Sequence, residues 1–287
     1  MRYGRLMLLC MEMAAGAVHA QANPDWTTPI PPFRIAGNLY YVGSKDLASY
    51  LIVTPQGDIL INSSLPESVP LIRRRVEQLG FRFTDIKILL LSHAHGDHDA
   101  GSAEVIRETH AKYAVMDGDV AVVESGGATD FAYATSTYPK AKVDRVLHDG
   151  DEVKLDDTVL VAHKTAGHTR GCTTWTMRVK EGGSLLNVVI VGSWNVNPGF
   201  RLVDRPGQPA SYPDIALDYR RTFRVLKTLP CDIFLGAHGG YFDMLAKLDR
   251  VKSGAVENVW VDPAGYQAAV AERQQAFETE LQKQQQN

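Results

Sequence analysis

Apolar residues along the chain fall into short runs and helical stripes, separated by clusters of turn-forming residues. Leu39-Tyr40-Tyr41-Val42 and Ser49 to Val53 have the length and composition of strands. Pro55-Gln56-Gly57-Asp58 reads as a turn, after which Ile59 to Ile61 returns as another strand. The period then changes. From about Ser68, Ile72, Val76 and Leu79 share one helical face, Arg73 to Arg75 fall largely outside it, and Gly80 is the stop. Ile86 to Leu91 is nearly continuous in apolar character, as expected of a strand covered on both faces. A helix is predicted from near Asp99 to about His110, then a short strand over Tyr113 to Met116. A further helix follows through Val123, with Asp117 or Asp119 as its cap.

The second half repeats the alternation. Residues 125–142 carry Gly126-Gly127, Ser136 and Pro139 and read as a surface loop. Strands are predicted over Val143 to Leu147, around Val153 and over Val159 to Val161. Cys172 to Val179 and Leu185 to Val191 form a hairpin across Glu181-Gly182-Gly183-Ser184. Residues 194–213 are a long loop rich in Pro and Gly, a length that often carries function. Asp214 opens a helix with Ile215, Tyr219, Phe223 and Leu226 on one face, and Asp232 to Leu235 is a last buried strand. The chain from Pro263 has a helical pattern whose end, Gln284 to Asn287, is expected to fray. Residues 21–36, with Pro24, Pro29, Pro31 and Pro32, read as an irregular arm laid over the body. Strands followed by helices in both halves, with no linker between, predict an α/β fold. Two mixed sheets lie face to face with helices outside, an αββα sandwich forming a single domain over residues 21–287.

Residues 1–20 stand apart. Arg2 and Arg5 precede the apolar stretches Leu6 to Cys10 and Met13 to Val18, and Val18-His19-Ala20 has the small residues a signal peptidase prefers. This predicts a cleaved secretory signal and a periplasmic protein. No later run approaches the roughly 18 apolar residues that span a bilayer, so no stable membrane association is expected. A net charge of −3 gives no sign of a nucleic-acid partner. Of three cysteines, Cys10 leaves with the signal. Cys172 and Cys231 could pair in an oxidising compartment, but two cysteines cannot build a thiolate-rich metal site.

The chemistry concentrates in His93-Ala94-His95-Gly96-Asp97-His98, directly after the buried run. Four ligand-type residues fall in six positions. His93 and His95, two apart in extended chain, aim the same way, and Asp97 and His98 turn with the chain as it leaves the strand. Gly96 would remove bulk where that turn is sharp. His168, after Ala166-Gly167, and His238, after Gly236-Ala237, sit in loops past strands, where sites tend to form. Six candidate ligands make two sets of three, the protein share of a catalytic zinc that keeps a position for water. His110, His148 and His163 have no such setting and read as solvated or structural.

At these residues the sequence resembles the metallo-β-lactamase superfamily, over about Phe33 to Asp243. The resemblance implies that superfamily's αββα fold and a metal site at one edge between the sheets. Many reactions share this fold. Members that act on lactones, thioesters or RNA place an aspartate after the strand that here ends Val191-Gly192-Ser193. Class B β-lactamases of subclasses 1 and 2 place a cysteine there. Serine at 193 together with His98 resembles subclass 3, as does the segment Cys231 to Phe242. The resemblance implies two Zn2+ ions, one held by His93, His95 and His168 and the other by Asp97, His98 and His238. It implies hydrolysis of the β-lactam amide by a metal-bound hydroxide, with Asp97 orienting it and relaying a proton. Ser193, Asn195 and Phe200 would serve the substrate, a small-molecule β-lactam, and the protein would be a monomer. Many subclass members pair a cysteine matching Cys231 with one in the C-terminal helix. None follows Cys231 here, so that helix must be held by packing alone. The competing readings are a lactonase or thioesterase of the same fold and a non-catalytic periplasmic zinc-binding protein.

Overall fold

The computed structural model describes residues 23–286, so the signal segment predicted over residues 1–20 lies outside the described residues. Hairpins build the start of the first sheet because short turns connect its first strands. These are β1 (Phe33–Ala36), β2 (Leu39–Tyr41), β3 (Tyr50–Thr54) and β4 (Gly57–Ile61), all antiparallel neighbours. The next connections carry helices, and a helical crossover returns the chain parallel. α1 (Val69–Gln78) leads to β5 (Ile86–Leu90), and α2 (Gly96–Asp99) with α3 (Ser102–Thr109) leads to β6 (Lys112–Met116). α4 (Val120–Ser125) leads on to β7 (Arg145–Leu147). The strands lie in the order β1-β2-β3-β4-β5-β6-β7, parallel from β4 onward.

The second sheet holds β8 (Glu152–Leu155), β9 (Thr158–Lys164), β10 (Thr173–Glu181), β11 (Ser184–Val191) and β12 (Ile233–Gly236). Its order is β12-β11-β10-β9-β8. Every pair is antiparallel except β11 with β12, which α5 (Ile215–Thr228) connects. α6 (Met244–Lys252) and α7 (Pro263–Gln286) complete the chain. Among the described residues no helix is long and apolar enough to cross a membrane.

Side chains alternate across the first sheet and fill two layers. Tyr50, Ile52, Ile59, Ile61 and Leu90 face the core shared with the second sheet, where they meet Leu160, Trp175, Met177 and Val188. Leu51, Leu60 and Leu89 face the other way, under Ile72, Val76 and Val105 of α1 and α3. This is the period of two expected of strands covered on both faces. The predicted αββα sandwich is the observed fold.

Several local expectations need correction. The arm is not irregular throughout: Pro24–Trp26 form a 3-10 turn and its end is β1, where Phe33 stacks between Tyr41 and Trp260 at 5.0 and 4.9 Å. Arg75 is buried, not outside the α1 face, because its guanidinium donates to the carbonyls of Val42 and Gly43. The helix predicted from Asp99 to His110 is broken at Ala100-Gly101, where a side chain at 101 would lie 2.8 Å from the Ser63 carbonyl. Asp119 precedes α4 but does not cap it with its side chain. The 125–142 loop is partly interior, with Asp130 and Ala141 buried. α7 runs to Gln286 instead of fraying at Gln284, whose side chain bonds the backbone of Phe200 and Leu202 at 2.8 and 2.7 Å. The pairing left open for Cys172 and Cys231 does not occur; both are free.

Candidate metal centre

Strand direction decides which loops meet. β9, β11 and β12 run the same way in their sheet, so the loops after Lys164, Val191 and Gly236 open on one edge. The loop after β5 opens on the same edge, tied across by Thr173 N to the Ser92 carbonyl at 2.7 Å and by Trp175 Nε1 to the Leu91 carbonyl at 3.0 Å. His95 has an extended backbone, and α2 begins at once after it, with His98 N donating to the His95 carbonyl at 3.0 Å. That switch turns Asp97 and His98 into the first helical turn. Gly96 is not needed for it, since its backbone is ordinary and a side chain there would meet only Tyr138, at 3.5 Å.

All six candidate residues come together. One donor atom each from His93, His95 and His168 lies within 4.8 Å of the other two. Their rings meet edge to face at 4.6–4.9 Å. Asp97 Oδ2 is 3.3 Å from His98 Nε2 and 3.6 Å from His238 Nε2, and these two nitrogens are 3.2 Å apart. A tetrahedral ion with bonds of about 2.0–2.1 Å needs donor–donor edges of about 3.3–3.4 Å, which is the size of this triangle. Donors from His93, Asp97 and His98 also lie within 4.8 Å of one another, so the two sets adjoin.

The hydrogen bonds set the tautomers. His168 Nδ1 donates to the Asn195 carbonyl at 2.8 Å, and His238 Nδ1 donates to Asp46 Oδ2 at 2.9 Å. Each bond leaves the opposite ring nitrogen as a lone-pair donor. Charge follows burial. Burial, then the neighbouring imidazoles, hold His93 well below the usual histidine range. Burial takes His95 down to about 4 and His168 down to about 3. These rings are therefore neutral at neutral pH, the form that binds metal. Burial alone would raise Asp97, but His98 and His238 outweigh it and keep the carboxylate ionised. For His238 burial is outweighed by Asp46 and Asp97, so its affinity for a proton rises. Lone-pair imidazoles, an ionised carboxylate and metal-sized spacing make a donor set that fits a divalent ion.

The centre opens into a cavity of about 670 Å³, with His95, Asp97, His168 and His238 in its wall beside Trp26, Tyr133, Tyr138, Asn195 and Tyr241. Of the three residues expected to serve substrate, only Asn195 is on this wall. Ser193 is buried one layer back, its hydroxyl 3.1 Å from the Tyr241 hydroxyl, which also accepts from Asn195 Nδ2 at 3.2 Å. Phe200 is buried against Phe131, at 5.1 Å, and behind His168, at 6.0 Å. His110 ends α3, His163 bonds Thr176 and His148 faces Asp117, all outside both sets. The sequence pointed to no site role for Trp26, Asp46, Tyr133 or Tyr241, and read Asp119 only as a helix cap. Trp26 alone had a usable signal, a tryptophan among the polar and proline residues that open the arm.

Fold and centre together define a metal-dependent enzyme of the αββα type, and the chain belongs to the metallo-β-lactamase superfamily. The profile of that family, described as "Metallo-beta-lactamase superfamily", matches residues 47–238. Among solved structures the chain is similar to the FEZ-1 metallo-β-lactamase from Legionella gormanii. Identity is 53% and the TM-score 0.87, covering 91% of this chain and 98% of that one. It is also similar to BJP-1, a subclass B3 metallo-β-lactamase of Bradyrhizobium japonicum, at 38% identity and a TM-score of 0.84 over 91% and 97% of the two chains. The class B3 di-zinc enzyme LRA-12, from an Alaskan soil metagenome, is 36% identical with a TM-score of 0.81 over 90% and 97%.

Proposed function

We propose that this chain is a zinc-dependent β-lactamase, opening the cyclic amide of β-lactam antibiotics with water. The observation that carries the reading is the Asp97–His98–His238 donor triangle set against the three-histidine set at the cavity wall. His93, His95 and His168 would hold one zinc, and Asp97, His98 and His238 the other. Bound zinc supplies Lewis acidity and brings the pKa of water from about 15.7 to about 7. The protein's share is positioning and proton handling. Asp97 stays ionised among histidines, so its second oxygen can take the proton of the attacking water and pass it to the departing amide nitrogen. Asn195 and Tyr241, hydrogen-bonded to each other at the wall, offer polar contacts to the substrate carboxylate. Trp26, Tyr133 and Tyr138 present apolar ring surface to the rest of the molecule. Ser193 acts through Tyr241, and Phe200 by backing His168 and Tyr133.

A chromogenic cephalosporin, a lactone and a thioester assayed side by side test this. The lactam should be turned over, chelation should stop it, and added zinc should restore it. Full lactam turnover after verified metal removal would refute the metal dependence, and preference for the lactone or thioester would refute the substrate. The similarity to three metallo-β-lactamases favours the lactam. We further propose that residues 1–20 direct export to the periplasm, which a mature N-terminus at Gln21, read by mass spectrometry, would establish.

A further inference from the structure

We propose that the two ligand sets are held by separate carboxylates outside the centre: the buried Asp119 fixes the three-histidine set and the half-buried Asp46 fixes the second set. The inference rests on the ligand sets above but not on the substrate. Asp119 is 1% exposed and bridges two loops that supply the first set. Its Oδ2 accepts from Ala94 N at 2.9 Å, between His93 and His95, and from Thr169 Oγ1 at 2.7 Å, next to His168. Its Oδ1 accepts from Gly171 N at 2.8 Å. Three donors converge on one side chain, and only an acceptor-only group satisfies all three. Asparagine cannot. With its oxygen toward Ala94 and Thr169 its NH2 faces the Gly171 N–H, and flipping it turns the NH2 onto the Ala94 N–H, even though the Thr169 hydroxyl can rotate to accept. The loop is packed directly on Asp119: a side chain on Gly171 would come within 2.5 Å of Asp119 N.

Asp46 does the corresponding work on the far side of the centre. Its Oδ2 takes the His238 Nδ1 proton at 2.9 Å and the Trp26 Nε1 proton at 3.2 Å, while Oδ1 takes Gly240 N at 3.2 Å. Neither carboxylate bonds a side chain or backbone group of the other's set. Each set therefore has its own support, and loss of one should leave the other standing. Groups that orient metal ligands typically carry about 10–100-fold in metal affinity.

The test is stepwise cadmium and zinc titration of the metal-free protein against a competing chelator. Cadmium NMR assigns each step, since the nitrogen-rich set and the carboxylate-containing set give separate resonances. Asp119→Asn should weaken the three-histidine set by about 10–100-fold with the other set nearly unchanged, and Asp46→Ala should do the reverse. Thr169→Val, which removes one of the three Asp119 bonds, should move the first set in the same direction by less. If Asp119→Asn does not fold by circular dichroism, Thr169→Val carries the first arm alone. Both variants weakening both sets equally, or neither set moving, would overturn the proposal. Wild-type protein that binds two ions but hydrolyses no lactam would sink the proposed substrate and leave this inference intact.

Discussion

Phe277→Ala puts the cost of a missing disulfide on view. α7 is held to the body by Tyr266, Val270, Phe277 and Leu281, with Cys231 free beneath it. Phe277 is 1% exposed and stacks on Tyr219 at 5.1 Å and on Phe223 at 5.8 Å. Truncating a buried phenylalanine costs about 3–5 kcal/mol, the size depending on how far neighbours collapse into the hole. Tyr219 cannot follow. Its hydroxyl donates to the Asn195 carbonyl at 2.6 Å, and its ring lies on Gly167, so closely that a side chain there would sit 2.8 Å from it. The loss should therefore fall in the upper part of the range, about 4–5 kcal/mol. At about 2–4 °C per kcal/mol for a domain near this size, the melting temperature should drop by roughly 8–20 °C. Urea unfolding and thermal melts of metal-free protein measure it, because bound metal would stabilise both forms by mass action. Phe277→Leu, which keeps most of the volume, should lose less than half as much. A loss below about 1 kcal/mol for the alanine variant would refute the packing argument, because it would mean the site collapses freely.

Asp97→Ala opens the second donor triangle and removes the proposed proton acceptor. Lactam turnover should fall at least about 100-fold, with one metal ion retained less tightly, and wild-type rates at full metal loading would refute the assignment. Gly167→Ala combines a backbone at φ +136°, which other residues rarely adopt, with a collision against the Tyr219 ring. It should cost about 1–3 kcal/mol from the backbone alone and loosen His168; a melting temperature equal to wild type would contradict this. Burial raises the Asp58 carboxyl to about 6, at the end of β4 away from the centre. A raised carboxyl contributes stability that is present below about pH 4 and lost as pH climbs through 6, so Asp58→Asn should match wild type at pH 4. At pH 8 it should gain at most about 3 kcal/mol, and an equal gain at both pH values would disprove the cause.

The ligands were legible because the chemistry is local. Four of the six sit in one hexapeptide after a buried strand, and the other two follow strands of the second sheet in Gly-containing loops. The sheets were legible because alternation such as Tyr50, Leu51, Ile52 sends neighbours to opposite layers. What stayed hidden depends on partners contributed by distant chain. Arg75 looked like a surface charge because its acceptors are carbonyls of Val42 and Gly43, and a carbonyl leaves no mark in a sequence. Asp119 looked like a helix cap because capping is a local rule, but donors from two other loops took its oxygens. α6 went unseen because Lys247 breaks its apolar stripe. The ammonium is buried all the same, paired with Asp262 at 2.9 Å and lying over the rings of Phe234 and Phe242.

The same dependence on distant partners couples the centre to the end of the chain. The Asn195 carbonyl accepts from both His168 Nδ1 and the Tyr219 hydroxyl, and Tyr219 carries the stack from Phe277. A metal that fixes His168 must favour the arrangement in which Tyr219 is seated, and a seated Tyr219 favours a docked α7. Coupling of this kind is reciprocal: whatever free energy metal adds to the docking of α7, docking adds to metal binding. Zinc addition should slow amide exchange around Val270 and Phe277, and Phe277→Ala should weaken the three-histidine set by the equivalent factor. The exposed loop tip at Gly182-Gly183, which touches none of these groups, is the internal reference for exchange. If zinc slows exchange at His168 but leaves α7 as fast as before, the relay through Tyr219 transmits nothing, and the helix and the centre are independent.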